Sequence, residues 1–493
     1  MAASVDGAEA PHRRWGVSTS QVAWMAVLVL GVLFLVNASP WLAAPFGDSH
    51  DGRNVSVWGA NARALRADPI GSHLGGVRAS DGPYATHPPL IVAAAALTSA
   101  VTRDHPVGYR LPAVLASLAT LAMLALVLVR MGFGAVAVVS GLVLAGTSGM
   151  FLTYGAMLDT PMLGLPLAAA VLWIVARVQA DDAPVEWMVA VIGLLCGLTS
   201  WQAGLTAAIA GLLLVAVPST RARSMRPVAI LLGALAVGTA LAVAWAWWAY
   251  GDLASVRDAF TDRTGVPDVW WLAQRTFVGD LFGPLRVGAV VVGMVVALVW
   301  RRHRLIMFIT VATTVVWDLI FRQGATIHDY WTYFGVLPVA IGSAIVVAAV
   351  LAGARSTVPR LQPLVVGAVC LIVGATALVS LLKPSTAEKN VRSGIDGGRV
   401  AAAIPRATSD HQVVVYSISN NIPGGVAWAA WRAHGVAKVL SPAATVKLGR
   451  THPDALVLIR LPGRFVPTDK AKAEAIAIRG QFLLMPASSF VDS

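Results

Sequence analysis

Apolar residues in this chain come in long unbroken runs separated by short polar connections. They show neither the strict alternation of half-buried strands nor the single stripe of a soluble helix. Eleven runs approach the ~20 residues that cross a bilayer: 21–40, 109–130, 134–153, 160–177, 187–201, 203–218, 228–250, 286–300, 305–321, 333–353 and 363–382. A further apolar stretch, 90–101, is too short to span and predicts an interfacial or re-entrant helix. The pattern predicts an all-α polytopic membrane protein with about eleven transmembrane helices.

Between the runs lie a short N-terminal tail (1–20) and two long polar segments, 41–108 and 251–285, which read as loops on one face. The second carries Asp252, Asp258, Asp262, Asp268 and the pair Trp270-Trp271. After residue 382 the periodicity changes. A helix-like stretch near 390–404 precedes strand-like Val413-Val414-Val415-Tyr416 and, after Gly424-Gly425 and another apolar stretch, Ala455-Leu456-Val457-Leu458-Ile459. Residues 383–493 therefore predict a small α/β domain.

Composition agrees with a membrane chain. Only 13% of the 493 residues are charged, about half the usual ~25%, and mean hydropathy is +0.71. The net charge of +12 does not point to nucleic acid, because much of it is arginine at the ends of apolar runs, where it orients membrane proteins. With the N-terminus in the cytoplasm, Arg13, Arg14, Arg130, Arg177, Arg221, Arg223, Arg226, Arg301, Arg302, Arg304, Arg355 and Arg360 all fall in short inward connections. That assignment makes the protein multi-pass in the plasma (inner) membrane, with both long loops and the C-terminal domain outside. Counting 90–101 as a span would expel Arg221–Arg226 and Arg301–Arg304. Cys196 and Cys370 sit inside apolar runs and form no disulfide framework. The first run is too long for a signal-peptide core and is expected to remain as a helix.

Helix interiors are nearly free of charge, Asp318 being the main exception. A transporter needs ionisable groups near mid-bilayer, so these charge-free interiors count against the alternative reading, a flippase or transporter of lipid-linked sugars that uses the same outer cavity without chemistry. Under the derived topology the ionisable residues gather on the outer face: Asp48, His50, Asp51 and Arg53 after the first span, His87-Pro88-Pro89 before the short apolar run, Asp159 opening the fourth span, and His328-Asp329-Tyr330 leading into the tenth. Each has a plain structural reading. Asp48 and Asp51 fit solvated loop positions, Asp159 before Thr160-Pro161 fits a helix cap, His87 fits a rigid turn, and Tyr330-Trp331 with Tyr333 fits an interfacial aromatic belt. Their convergence argues for a site.

The ordered set His50-Asp51-Gly52-Arg53-Asn54, Asn61-Ala62-Arg63, Tyr84-Ala85-Thr86-His87-Pro88-Pro89-Leu90, Gly108-Tyr109-Arg110-Leu111-Pro112, Leu158-Asp159-Thr160-Pro161, Thr199-Ser200-Trp201 and His328-Asp329-Tyr330-Trp331 resembles the GT-C glycosyltransferases. More narrowly it resembles family 39, the relatives of protein O-mannosyltransferases and the lipid A aminoarabinose transferase. The resemblance covers about residues 20–350 and leaves the tail uncovered.

It implies transfer of a sugar from a polyprenyl-phosphate carrier to an extracytoplasmic glycan, lipid or protein acceptor. It also implies an essential acid at Asp51 and a second at Asp159. Where the family often has an acid after the first, this chain has Gly52, so that either Asp48 nearby substitutes or that function is absent. Where the aminoarabinose enzyme has a lysine near the carrier phosphate, this chain has His87. Such a transfer breaks an anomeric C–O bond through an oxocarbenium-like state and requires a base for the acceptor hydroxyl. Asp51 is the expected base, acting with inversion. The leaving phosphate requires cations, for which His87, Arg53 and Arg322 are expected. Alternatively a divalent ion (Mg or Mn) is held by Asp51 and Asp159. His328, Asp329 and Tyr330 are expected to line the substrate pocket.

Overall fold

A computed structural model describes residues 18–46, 49–78, 82–83, 85–301 and 303–385, with parts of the tail: 388–389, 395–396, 398–400, 403, 414–417, 436–439, 441–460, 469–479 and 482–491. The first helix, α1 (Thr19–Leu42), begins at a capping box in which Ser18 and Gln21 exchange hydrogen bonds. The segment read as the first outer loop is largely ordered helix. It contains α2 (His50–Ala67), a two-stranded turn of β1 (Val77–Arg78) and β2 (Gly82–Pro83), and α3 (Leu90–Val101) at the position expected for the short helix.

α4 (Pro106–Arg130) follows as a long span. The run 134–153, expected as one helix, is two: α5 (Ala135–Gly146) and α6 (Gly149–Tyr154). Ser148 makes the break by capping α6, accepting from the Phe151 amide at 3.2 Å. After α7 (Thr160–Gln179), the extended residue Ser200 separates α8 (Glu186–Thr199) from α9 (Trp201–Ala216). α10 (Pro218–Tyr250) starts ten residues before its apolar run, carrying Arg221, Arg223 and Arg226 in its first turns, and stops at Gly251 with φ +80°. A left-handed residue at that position suits glycine.

The second expected loop is also helical: α11 (Ala254–Thr264) and α12 (Trp270–Leu281). α12 meets α13 (Gly283–Val299) at a 104° bend. α14 (Arg304–Ile320), α15 (Arg322–Ile327), a 3₁₀ turn (Asp329–Gly335), α16 (Val336–Thr357) and α17 (Gln362–Leu382) complete the bundle. Six helices among the described residues are long and apolar enough to cross a membrane, and the bent α12–α13 pair makes seven. α3, α5, α8 and α9 are apolar but shorter, so length alone does not return the count of eleven.

Small residues let helices approach closely. A Cβ on Gly193 or Gly197 of α8, or on Gly238 of α10, would collide with backbone of the facing helix. The Gly193-x-x-x-Gly197 spacing places both glycines on one face, the arrangement that packs helices where no hydrophobic effect drives them together. Large apolar side chains such as Leu28, Leu97, Leu212, Leu364 and Leu371 remain exposed on the outside, as lipid-facing residues must.

In the tail, β3 (Val414–Ser417), β4 (Val436–Val439), β5 (Leu456–Arg460), β6 (Ala477–Arg479) and β7 (Phe482–Pro486) form one mixed sheet, ordered β4-β3-β5-β7-β6. β3 runs parallel to β4 and β5, and β7 antiparallel to β5 and β6. With α18 (Pro442–Thr451) and α19 (Asp469–Glu474) this is the expected small α/β unit. Most of the helix-like stretch 390–404 and the segment after Gly425 lie outside the described residues, as does Asp48.

Candidate active site

The N-terminal ends of α2, α7 and the 3₁₀ turn converge. Ser49 caps α2 by accepting from the Gly52 amide at 3.4 Å, so His50 to Trp58 become successive positions on a helix. One turn apart on it, Asn54 and Trp58 line a cavity of about 170 Å³, together with His87, Asp159, Arg263, His328 and Tyr330. Trp201, Trp317 and Trp331 supply further aromatic wall, and Gln202 a buried amide.

Asp159 is the N-cap of α7, accepting from the Thr160 amide at 2.6 Å. It also lines the cavity, so capping and site membership coexist. Asn54 Nδ2 donates to its other oxygen at 2.6 Å, and Tyr330 and Trp58 donate as well. Burial pushes its pKa up to about 6 despite these hydrogen bonds, which favour the charged form. It is the one carboxylate among the described residues lining the cavity.

The two imidazoles that line the cavity, His87 and His328, have lowered pKa values. Burial, with Arg263 and His328 nearby, lowers His87 to about 3. Burial, with His50 and Arg263 nearby, lowers His328 to about 3 as well. Each keeps a buried Nδ1 without a hydrogen-bond partner. His87 is held by a loop whose Thr86 carbonyl accepts from Trp201 Nε1 at 3.3 Å, and its ring meets Trp58 edge-on. A neutral His87 does not replace the lysine that the family resemblance put beside the phosphate. Arg263 is the cation that lines this cavity.

Asp51 takes a different place from the one expected. Its carboxylate, 4% exposed, pairs with Arg110 at 2.8 Å, and Arg110 also donates to the Leu42 and Ala44 carbonyls. This buried pair ties α2 and α4 to the end of α1, and Asp51 does not line the cavity. The base expected at Asp51 thus falls on a carboxylate that the structure pairs with Arg110. His50, the preceding residue, lies at the rim, with Nδ1 3.2 Å from Asp329 Oδ1 and its ring beside those of His328 and Tyr330.

Arg53 and Arg322 do not line the cavity; the Arg322 guanidinium lies over the Trp270 ring at 5.5 Å. Among the described residues no three His, Cys, Asp or Glu side chains converge on one point, and Arg110 occupies the Asp51 carboxylate. The residues present do not fit a divalent ion shared by Asp51 and Asp159.

Arg263, Trp317 and Gln202 were not singled out from the sequence. Arg263 sits among Asp258, Asp262 and Asp268 in what reads as a solvated loop, and only the formation of α11 brings it inward. Trp201 had a signal in the Thr199-Ser200-Trp201 motif.

Residues 86–248 match the family model described as dolichyl-phosphate-mannose-protein mannosyltransferase. No curated protein matches the sequence significantly. Among solved structures the chain is similar to ArnT from Cupriavidus metallidurans bound to undecaprenyl phosphate, with TM-score 0.60 and 13% identity over 94% of this chain and 97% of that one. The apo form of the same enzyme gives TM-score 0.58 at 13% identity, over 95% and 98%. The archaeal oligosaccharyltransferase AglB from Archaeoglobus fulgidus, in complex with an inhibitory peptide and a dolichol-phosphate, gives 0.53 at 11% identity, over 89% and 69%. Across nearly all of its length, this chain shares the fold of these solved membrane enzymes.

Proposed function

We propose that the protein is a membrane glycosyltransferase that moves a sugar from a polyprenyl-phosphate donor to an extracytoplasmic acceptor. The observation that carries this reading is one cavity holding a carboxylate of raised pKa, an arginine and several indoles at the end of a membrane-spanning bundle. Similar folds were solved with undecaprenyl phosphate and with a dolichol-phosphate, which supports a lipid phosphate as the carrier here. The topology read from arginine placement puts the cavity outside, the N-terminus in the cytoplasm and the C-terminal domain outside.

In this mechanism Asp159 takes the proton of the acceptor hydroxyl as its oxygen attacks the anomeric carbon. The C–O bond to the carrier breaks, and the phosphate leaves with the bonding electron pair. A base poised near the working pH balances ionisation against proton affinity, and about 6 meets that requirement. Arg263 stabilises the charge growing on the phosphate. The indoles offer flat apolar faces to the sugar ring, while Asn54 and Gln202 offer polar groups to its hydroxyls. One carboxylate in the cavity suits a single displacement with inversion, since retention uses a second carboxylate about 5 Å from the first.

The test is incubation of the reconstituted protein with a panel of radiolabelled polyprenyl-phosphate sugars. Label is expected to leave at least one lipid with the wild type and not with Asp159→Asn. Retention of label on every lipid would overturn the transferase reading, and full transfer by Asp159→Asn would overturn the base assignment.

A further inference from the structure

α7 joins two sites. Its N-cap Asp159 lies in the cavity above. Its other end, at Gln179, is twenty residues away, or ~30 Å at 1.5 Å per residue, which is the thickness of a hydrocarbon core. There a pocket of about 340 Å³ is lined by Arg130, Arg223 and Arg301. It shares Gln179, Ser219, Thr220 and Arg301 with an adjoining groove of about 650 Å³, whose walls include Met294, Leu298, Arg304, Leu305 and Phe308. Leu298 and Phe308 are 61% and 50% exposed, open to whatever fills the groove.

The charges here are unevenly satisfied. Arg130 pairs with Asp182, and Arg223 with Asp181. Arg301 and Arg304, both exposed, make no ion pair among the described residues. Two uncompensated guanidinium groups thus stand at the lip of an apolar groove, at the membrane face opposite the transfer site. That combination asks for a ligand with an anionic head and a hydrocarbon body. A free phosphate would leave the groove empty, and a zwitterionic lipid would bring its own cation towards the arginines.

We infer that this joined pocket and groove binds an anionic diacyl phospholipid, its phosphodiester at Arg301 and Arg304 and an acyl chain along Leu298 and Phe308. The site is separate from the transfer cavity, and its occupancy does not depend on the proposed reaction. Basic pockets between spanning helices are a recurrent way of holding such head groups.

The full-length protein reconstituted in phosphatidylcholine bilayers, probed by electron paramagnetic resonance with spin-labelled phosphatidylglycerol and spin-labelled phosphatidylcholine, tests this. The motionally restricted fraction is expected to favour phosphatidylglycerol about 25-fold, since each of the two arginines near the surface contributes about fivefold. Arg301→Gln with Arg304→Gln should abolish the preference, and Arg301→Lys with Arg304→Lys should keep it. Leu298→Trp, which fills the groove, should remove the selective component without touching charge, and it gives the answer if the glutamine variant fails to fold. Equal restriction of the two lipids by the wild type would overturn the proposal. So would a preference that survives both the glutamine and the groove-filling variants, or displacement of the label by undecaprenyl phosphate at lower concentration than by unlabelled phosphatidylglycerol.

Discussion

Asn54 Nδ2 lies 2.6 Å from Asp159 Oδ2, joining two residues 105 positions apart in sequence. The amide donates to a carboxylate that burial would otherwise neutralise, and so helps to keep it a proton acceptor. Replacing Asn54 with Ala removes a hydrogen bond to a charged group, an interaction that contributes about 1.5–3 kcal/mol. Asn54→Ala is therefore expected to raise the acid limb of the pH–rate profile by about one unit, while rates above pH 8 change little. A profile identical to wild type would remove Asn54 from this role.

The wild-type profile follows from the same carboxylate. In the proposed reaction Asp159 must be ionised to accept a proton, and its pKa is raised to about 6. Activity is expected to fall as pH drops through about 6. His87 and His328 remain neutral down to about 3, so they add no limb between pH 4 and 8. Rates measured across that interval should show one acidic ionisation.

The two imidazoles bear on stability instead. Their folded pKa values lie below the unfolded value of 6.5, so the unfolded chain takes up two protons that the folded chain refuses as pH falls below 6.5. Asp159 acts oppositely, because the folded state protonates first, between about 6 and 3.8. The net from these three groups is about one proton favouring unfolding, so stability falls as pH drops from 6 to 4. His87→Gln combined with His328→Gln should lose acid sensitivity relative to wild type, as seen in melting temperatures at pH 7 and pH 5. An unchanged difference between those temperatures would contradict the assignment.

Arg263→Gln is expected to leave the fold intact, since α11 has no buried residues. Loss of one electrostatic contact to the leaving group costs about 10²–10³ in rate elsewhere, and a drop of that order in kcat is expected here. A variant that transfers at the wild-type rate would place the phosphate away from Arg263.

Asp51→Asn should behave as a folding variant. Removing one partner of a buried ion pair costs about 3–5 kcal/mol, because the other charge is stranded. Thermal stability in detergent should fall sharply, and Asp51→Leu combined with Arg110→Met should recover part of it. A stable, fully inserted Asp51→Asn protein without activity would return the base to Asp51.

The bundle and its tail were legible because hydrophobic run length and strand alternation are local signals. The runs at 109–130 and 363–382 gave α4 and α17 almost to the residue, and the two strand-like segments in the tail became β3 and β5. The break at Thr147–Ser148 was not legible, because a single capping hydroxyl divides an otherwise continuous apolar run. The site was legible where its residues sit at span ends: Asp159, His87, His328 and Tyr330 do line one cavity. Arg263 was hidden because its position depends on the fold of α11, and nothing in the linear sequence announces that Arg110, 59 residues on, pairs with the Asp51 carboxylate.

The central claim is that the cavity between Asp159 and Arg263 is where the lipid-linked sugar reacts. An electron cryomicroscopy map of the protein with a non-cleavable phosphonate analogue of a donor that it accepts tests this most directly. The account predicts the phosphonate at Arg263, with the anomeric carbon and its sugar among Trp58, Trp201 and Asp159. A head group bound at Asp51 and Arg110, or a sugar outside the cavity, would contradict it.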